Sequence, residues 1–280
     1  MDRYAVAGNP VEHSQSPFIH AEFARATGKP LQYGRLLCPL DGFAAAVAAF
    51  ARSNEGGPAG GCNVTVPFKF EAFGLASRHT ERAALAQAAN TLRFDQTGWL
   101  ADNTDGVGLV RDIEHNAGVS LHGKRLLLIG AGGAAAGVLG ALLGAGPAHV
   151  VVANRTPGKS HALVARHQRA AGNSHLQALP LDGCGEAFDV VINASASSLQ
   201  GAGIPVAAST LGRGALVVDL MYGPAAQACL QWAATQGAVP RDGLGMLVEQ
   251  AAESFLLWRG VRPDTAPVLA ALRLRMAASK

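Results

Sequence analysis

The chain has 280 residues, 49% of them hydrophobic and 15% charged, with a formal net charge of +3. That length exceeds an ordinary single domain and supplies enough apolar residues for two cores. The basic residues form no long tail, glycines interrupt the apolar runs, and the four cysteines lack a CxxC pair, which disfavours a nucleic-acid surface, a membrane span and a zinc or disulfide framework. With no signal peptide visible at Met1-Asp2-Arg3-Tyr4, the expectation is a cytoplasmic protein with buried, reduced thiols. In chain order, strands are expected at 4–8 and 32–37 and helices at 16–27 and 42–52, an α/β alternation. The Gly/Ser/Pro-rich stretch 53–61 reads as a flexible loop, 63–66 as a strand ended by Pro67, and a helix should follow Lys69. A helix over 107–114 carries the chain into a second domain.

The second domain opens with Leu126-Leu127-Leu128-Ile129-Gly130-Ala131-Gly132-Gly133-Ala134, followed by Val150-Val151-Val152-Ala153-Asn154-Arg155-Thr156. Strand, glycine turn, small-residue helix and strand make a dinucleotide-binding βαβ unit, in which a small residue at Ala134 or Ala135 satisfies the third glycine position. The second strand ends in Arg155 where NAD binders carry an acid that grips the ribose 2′-hydroxyl, and a guanidinium pairs instead with a 2′-phosphate. No Asp or Glu occurs over 115–181, while Lys124, Arg125, Arg155, Lys159, Arg166 and Arg169 do, a field suited to NADP. The upstream Gly118 to Arg125 imitates a triphosphate loop, but it lacks the magnesium-binding hydroxyl and precedes its strand. Further buried strands at 189–193 and 215–220 carry a polar residue, Asn193 and Asp219, at or next to their ends, where parallel sheets present ligands. Helices at 246–259 and 266–277 are expected to pack back on the first domain. The fold class is therefore α/β in two domains, residues 1–106 plus about 245–280 for substrate and 107–244 as a Rossmann domain.

Candidate chemistry lies mostly outside the glycine turn. Asn63-Val64-Thr65-Val66-Pro67-Phe68-Lys69 sets an amide, a hydroxyl and an ammonium at one strand end, where Lys69 is either a surface lysine or a group delivered to a cleft. Asn90-Thr91 and Asp102-Asn103-Thr104-Asp105-Gly106 add an amide and a carboxylate, with Asp105 also readable as a helix cap. Ser14-Gln15-Ser16-Pro17 offers two hydroxyls for a carboxylate, or an ordinary helix N-cap. Asp242-Gly243-Leu244-Gly245-Met246 is a glycine turn opening a helix, on which Gln250 shares a face with Met246, itself either core or a nicotinamide contact. No HExxH spacing exists, so no metal site is expected.

These motifs, in this order and over essentially the whole length, resemble the shikimate dehydrogenase family. The resemblance implies reversible NADPH-dependent reduction of 3-dehydroshikimate to shikimate, a step toward chorismate and the aromatic amino acids, by a monomer or homodimer. It implies that Lys69 and Asp105 are the catalytic pair and that Ser14 and Ser16 hold the substrate carboxylate. Thr65, Asn90, Tyr222 and Gln250 would join the pair in holding its hydroxyls. Gly130, Ala131, Gly132, Gly133 and Ala134 would carry the cofactor, with Asn154, Arg155, Thr156 and Lys159 at the adenosine phosphate and Met221, Gly243 and Met246 also in contact. Ser16 and Arg155 argue against the family's quinate- and NAD-using branch. Two positions depart from the common pattern: Ala136 replaces an Arg, and Asn193-Ala194-Ser195-Ala196 replaces an Asn-Ala-Thr pairing. Neutral Lys69 is the form needed for oxidation, and with a reference pKa of about 10.4 it should be favoured by alkaline assay conditions.

Overall fold

The computed structural model describes residues 1–195 and 203–278. They divide into two compact units, Met1–Gly108 with Leu247–Lys280, and Leu109–Met246.

The first unit runs β1 (Arg3–Gly8), α1 (Ser16–Thr27), β2 (Gln32–Leu37), α2 (Phe43–Arg52), β3 (Ala59–Val64), α3 (Lys69–Leu75), β4 (Arg78–His79), α4 (Glu81–Ala86), β5 (Thr91–Arg93) and β6 (Leu100–Asp102), and the chain leaves it along α5 (Asp105–Arg111). Its six strands are ordered β2-β1-β3-β5-β6-β4, with β1 parallel to both β2 and β3 and β5 antiparallel to β3 and β6. Burial follows that order. Central β1 is covered from Tyr4 to Gly8, whereas edge strand β2 exposes most of its residues, as an apolar centre and a polar edge require.

The stretch 53–61 is a loop only as far as Pro58, because Ala59, Gly60 and Gly61 belong to β3. A Cβ on Gly60 would come within 2.6 Å of the Tyr4 hydroxyl, and one on Gly61 within 2.2 Å of the Leu92 carbonyl oxygen. Those glycines allow close approach within a sheet, not flexibility.

The second unit contains β7 (Arg125–Ile129), α6 (Gly133–Gly144), β8 (His149–Ala153), α7 (Pro157–His167), β9 (His175–Leu179), β10 (Phe188–Asn193), β11 (Leu211–Asp219), α8 (Gln227–Thr235) and β12 (Val239–Arg241). All six strands are parallel in the order β12-β11-β10-β7-β8-β9, so the winding direction reverses between β7 and β10. Ligands of doubly wound sheets bind at such a reversal. Leu126, Leu127, Leu128, Val150, Val151, Val152, Val190, Val191 and Ile192 have no exposure, the continuous apolar pattern of strands covered on both faces. After α5 the helix continues as a π-helical turn at Asp112–Asn116, in which the Ala117 N–H reaches the Asp112 carbonyl at 3.0 Å. The chain re-enters the first unit along α9 (Leu244–Arg259) and ends in α10 (Ala266–Ala278).

Candidate active site

Seven of the eight expected substrate residues, Ser14, Ser16, Thr65, Lys69, Asn90, Asp105 and Gln250, lie in the first unit, and Tyr222 lies in the second. Lys69 is the first residue of α3 and Asp105 the first of α5. Their side chains meet in an ion pair, with the Lys69 side chain 15% exposed and that of Asp105 6%. Lys69 is therefore a half-buried cation held by a nearly buried acid, not a free surface lysine.

The other carboxylate oxygen, Asp105 Oδ1, accepts a hydrogen bond of 2.8 Å from Asn90 Nδ2. Asn90 is itself fixed from the other side, since its Oδ1 accepts from the Thr104 backbone N–H at 2.8 Å and the Thr91 hydroxyl at 3.0 Å. Gln250 Oε1 accepts from the same Asn90 amide at 3.0 Å, and Gln250 Nε2 donates to the Leu247 carbonyl at 2.8 Å. Among the described residues one Gln250 N–H is therefore uncommitted and can serve a substrate hydroxyl.

The loop that delivers Asp105 is clamped before it begins. Asp102, 1% exposed, accepts two hydrogen bonds of 2.6 Å from Arg82, one of 2.6 Å from Thr80, and one of 2.7 Å from the Asn103 amide. Burial alone would raise its carboxyl above the usual range, but the Arg82 and Thr80 bonds outweigh it and hold Asp102 low and ionised.

In the same unit, Ser14 Oγ donates to Ser16 Oγ at 3.2 Å. The N-cap of α1 is Gln15, whose side chain makes no capping bond, whereas Ser14 Oγ accepts from the Ser16 backbone N–H, the first of the helix, at 3.3 Å, so Ser14 partly caps α1 and Ser16 does not. Two adjacent hydroxyls at a helix N-terminus can receive an anionic group. Thr65 follows β3, and its methyl lies where a Cβ on Gly8 would stand, 2.2 Å away. Tyr33 on β2, His20 on α1 and Trp258 on α9 complete an aromatic cluster, in which His20 stacks on Tyr33 with centroids 4.3 Å apart and planes 7° apart. Burial pulls the His20 imidazole down to about 3, with the Asn63 side chain acting against that shift.

The cofactor-type residues occupy the second unit. Gly130 has φ +114° and would drive a Cβ to 2.9 Å from the Ala194 carbonyl oxygen, so the chain turns tightly where β7 and β10 diverge. Gly132 is the N-cap of α6 with no side-chain cap, and a Cβ there would meet nothing within 4 Å. The first amides of such a helix have no intrahelical partner and suit a pyrophosphate. Asn154 donates to the Thr156 carbonyl at 2.9 Å, while Arg155 and Lys159 are exposed and have no acidic partner among the described residues. The glycine-lined turn, the capless helix and the unpaired cations fit a phosphorylated dinucleotide.

Gly243 N–H donates to the Met221 carbonyl at 2.9 Å, which brings two of the remaining expected contacts together, and Met246 is 7% exposed at the start of α9. Ala136 is 2% exposed on the covered side of α6, and Ala196 lies outside the described residues. Thr104, Thr91, Asn63 and Ser254 are part of the buried polar cluster although sequence reading gave them no individual role. Ser254 carries a usable signal, because it stands four residues after Gln250 on one helix face.

Family models place these elements among known proteins. Residues 6–92 match the shikimate dehydrogenase substrate binding domain, 112–205 match shikimate / quinate 5-dehydrogenase, and 243–273 match the shikimate 5'-dehydrogenase C-terminal domain. The chain is 66% identical, over 97% of its length and 94% of the relative's, to shikimate dehydrogenase (NADP(+)) of Methylibium petroleiphilum. It superposes with a TM-score of 0.87 on the Ael1 enzyme of Pseudomonas putida, at 47% identity over 97% of this chain and 98% of that one. With the Thermus thermophilus shikimate 5-dehydrogenase in complex with NADP(H) and shikimate the TM-score is 0.85, at 30% identity over 99% and 100% of the two chains.

Proposed function

The chain belongs to the shikimate dehydrogenase family, and we propose that it carries out the reversible NADPH-dependent reduction of 3-dehydroshikimate to shikimate with Lys69 and Asp105 as its catalytic pair. The observation that carries the assignment of the pair is the buried Lys69–Asp105 ion pair, whose acid is held by Asn90. When bound, NADPH supplies the hydride. As the ketone is reduced, negative charge grows on its oxygen, and the Lys69 ammonium both stabilises that charge and gives it a proton. Asp105 keeps the ammonium aimed and accepts a substrate hydroxyl. In the oxidative direction Lys69 takes the proton back.

Ser14 and Ser16 hold the substrate carboxylate, and Thr65, Asn90, Tyr222 and Gln250 hold its hydroxyls. Gly130, Ala131, Gly132, Gly133 and Ala134 cradle the pyrophosphate of NADP, Asn154, Arg155, Thr156 and Lys159 hold the adenosine phosphate, and Met221, Gly243 and Met246 line the nicotinamide end. Support comes from the glycine turn at the sheet's reversal and from Arg155 and Lys159, which are exposed and lack an acidic partner among the described residues. Among the described residues no helix is long and apolar enough to cross a membrane. Initial rates with shikimate or quinate against NADP or NAD test the reading. Shikimate with NADP should be fastest of the four pairs, and faster turnover of quinate or NAD would overturn it.

A further inference from the structure

The motif 63–69 contributes Lys69 and Thr65 to the site, yet its first residue, Asn63, is the one joined to both ends of the first unit's polar cluster. Asn63 is 6% exposed. Its Oδ1 accepts from the Tyr33 hydroxyl at 2.6 Å, and its Nδ2 donates to the Thr91 hydroxyl at 3.1 Å. Thr91, fully buried, donates in turn to Asn90 Oδ1 at 3.0 Å, and Asn90 Nδ2 donates to Asp105 Oδ1 at 2.8 Å. Four consecutive hydrogen bonds therefore point the same way and end on the carboxylate that holds Lys69. Ser254 Oγ lies under the middle of the chain, 2.9 Å from Asn63 Nδ2 and 2.8 Å from Thr91 Oγ1.

The direction has a physical consequence. A donor whose own oxygen is already accepting is a stronger donor, so bonds aligned head to tail polarise one another, and in a site shielded from water the gain collects at the terminal anion. An amide or hydroxyl turned round in the middle would break the series. The far end is fixed as a donor, because burial pushes the Tyr33 hydroxyl well above its ordinary value, and the His20 ring stacked on Tyr33 holds the phenol in place. The Ser16 side chain lies against that same hydroxyl, so the chain starts beside the carboxylate-type hydroxyl pair and finishes at the catalytic pair.

We propose that Tyr33, Asn63 and Thr91 are positioning residues of the reaction, forming a one-directional hydrogen-bond chain that orients Asn90 and, through it, the Asp105 carboxylate against Lys69. None of the three need touch the reacting atoms. The proposal rests on Lys69 and Asp105 being the catalytic pair, and it predicts a loss in turnover rather than in binding.

The test is steady-state kinetics of shikimate oxidation by Thr91→Val, Thr91→Ser and Tyr33→Phe, with thermal melting of each. Thr91→Val keeps the shape and removes the donor, so kcat should fall about tenfold while KM for NADP stays unchanged and KM for shikimate moves less than about threefold. Thr91→Ser keeps the hydroxyl and should return kcat to within about twofold of the parent. Tyr33→Phe keeps the ring stack, removes only the most distant donor, and should lower kcat about threefold. Wild-type kcat in a folded Thr91→Val, failure of Thr91→Ser to rescue, or a loss confined to KM would each overturn the proposal. Should Thr91→Val not fold, Tyr33→Phe decides, and unchanged kcat there overturns it. Lys69→Ala assayed alongside reports separately on the catalytic pair, because its inactivity leaves that assignment standing whatever the Thr91 variants do.

Discussion

The two units solve recognition in opposite ways. In the first unit the candidate site is made of side chains that hold one another: Lys69 on Asp105, Asp105 on Asn90, Asn90 on Thr91, Thr104 and Gln250, almost all of it out of water. In the second unit it is made largely of what is missing, with Cβ atoms absent at Gly130 and Gly132, no side chain at the cap of α6, and, among the described residues, no acid beside Arg155 and Lys159. The difference follows from the ligands. A small polyhydroxylated ring must be held at several points and have a proton delivered to one of them, which calls for locked side chains. A pyrophosphate asks for backbone amides, close approach and positive charge, which a turn supplies once nothing obstructs it.

That division predicts mutations whose effects stay on their own side. Lys69→Ala should give the largest effect, a fall of roughly 10²–10⁴ in kcat with KM for NADPH near the parent value. A large rise in that KM instead, seen by steady-state kinetics, would mean the first unit's side chains also set cofactor binding. Arg155→Ala should do the reverse, raising KM for NADPH about 10- to 100-fold with little change in kcat, because a charge-assisted bond to phosphate contributes about 1.5–3 kcal/mol. A preference for NADP over NAD that survives the substitution would remove Arg155 from its role.

The glycines sharpen the second half of the comparison. Gly130→Ala places a Cβ against the Ala194 carbonyl at a positive φ and should cost about 1–3 kcal/mol of stability, lowering Tm. Gly132→Ala has φ −89° and open space around it, so Tm should hold and only KM for NADPH should rise. Equal losses of Tm in both variants would show that the turn is structural throughout.

The smallest effect concerns His20. Its imidazole sits at about 3 when folded against an ordinary 6.5, so the unfolded chain takes up the proton first as pH falls. The stability from keeping it neutral is complete above pH 6.5 and is lost progressively toward pH 3, at up to about 1.4 kcal/mol per pH unit. His20→Phe should flatten that slope in urea unfolding measured between pH 7 and pH 5. An unchanged slope would place the acid sensitivity elsewhere.

The elements that were legible in the sequence are those whose burial is symmetrical or whose turn chemistry is local. β7, β8, β10 and the core of β11 are uninterrupted apolar runs, and Gly130 to Ala134 marks its own turn. β9 and β12 carried no such pattern, since His175-Leu176-Gln177-Ala178-Leu179 and Val239-Pro240-Arg241 lie on sheet edges and become strands through their neighbours. The first half of β3 was obscured for a different reason. Gly60 and Gly61 look like loop residues, and only the Tyr4 ring and the Leu92 carbonyl pressed against them explain the choice.

The same boundary runs through the candidate site. Lys69, Asp105, Arg155 and the glycine turn stand in contiguous motifs, so their residue types and spacing were enough to single them out, and the family resemblance gave them roles. Whether Lys69 is a surface lysine or an engaged one, whether Ser14 and Ser16 cap α1, and which way the Asn90 amide points were decided by the tertiary structure alone. Asn63, Thr91, Asn90 and Ser254 come from β3, the start of β5 and α9, separated by up to 191 positions between Asn63 and Ser254. Sequence determines which donors and acceptors a chain owns, whereas the direction of a hydrogen bond depends on which of them folding places within about 3 Å of each other in the absence of water.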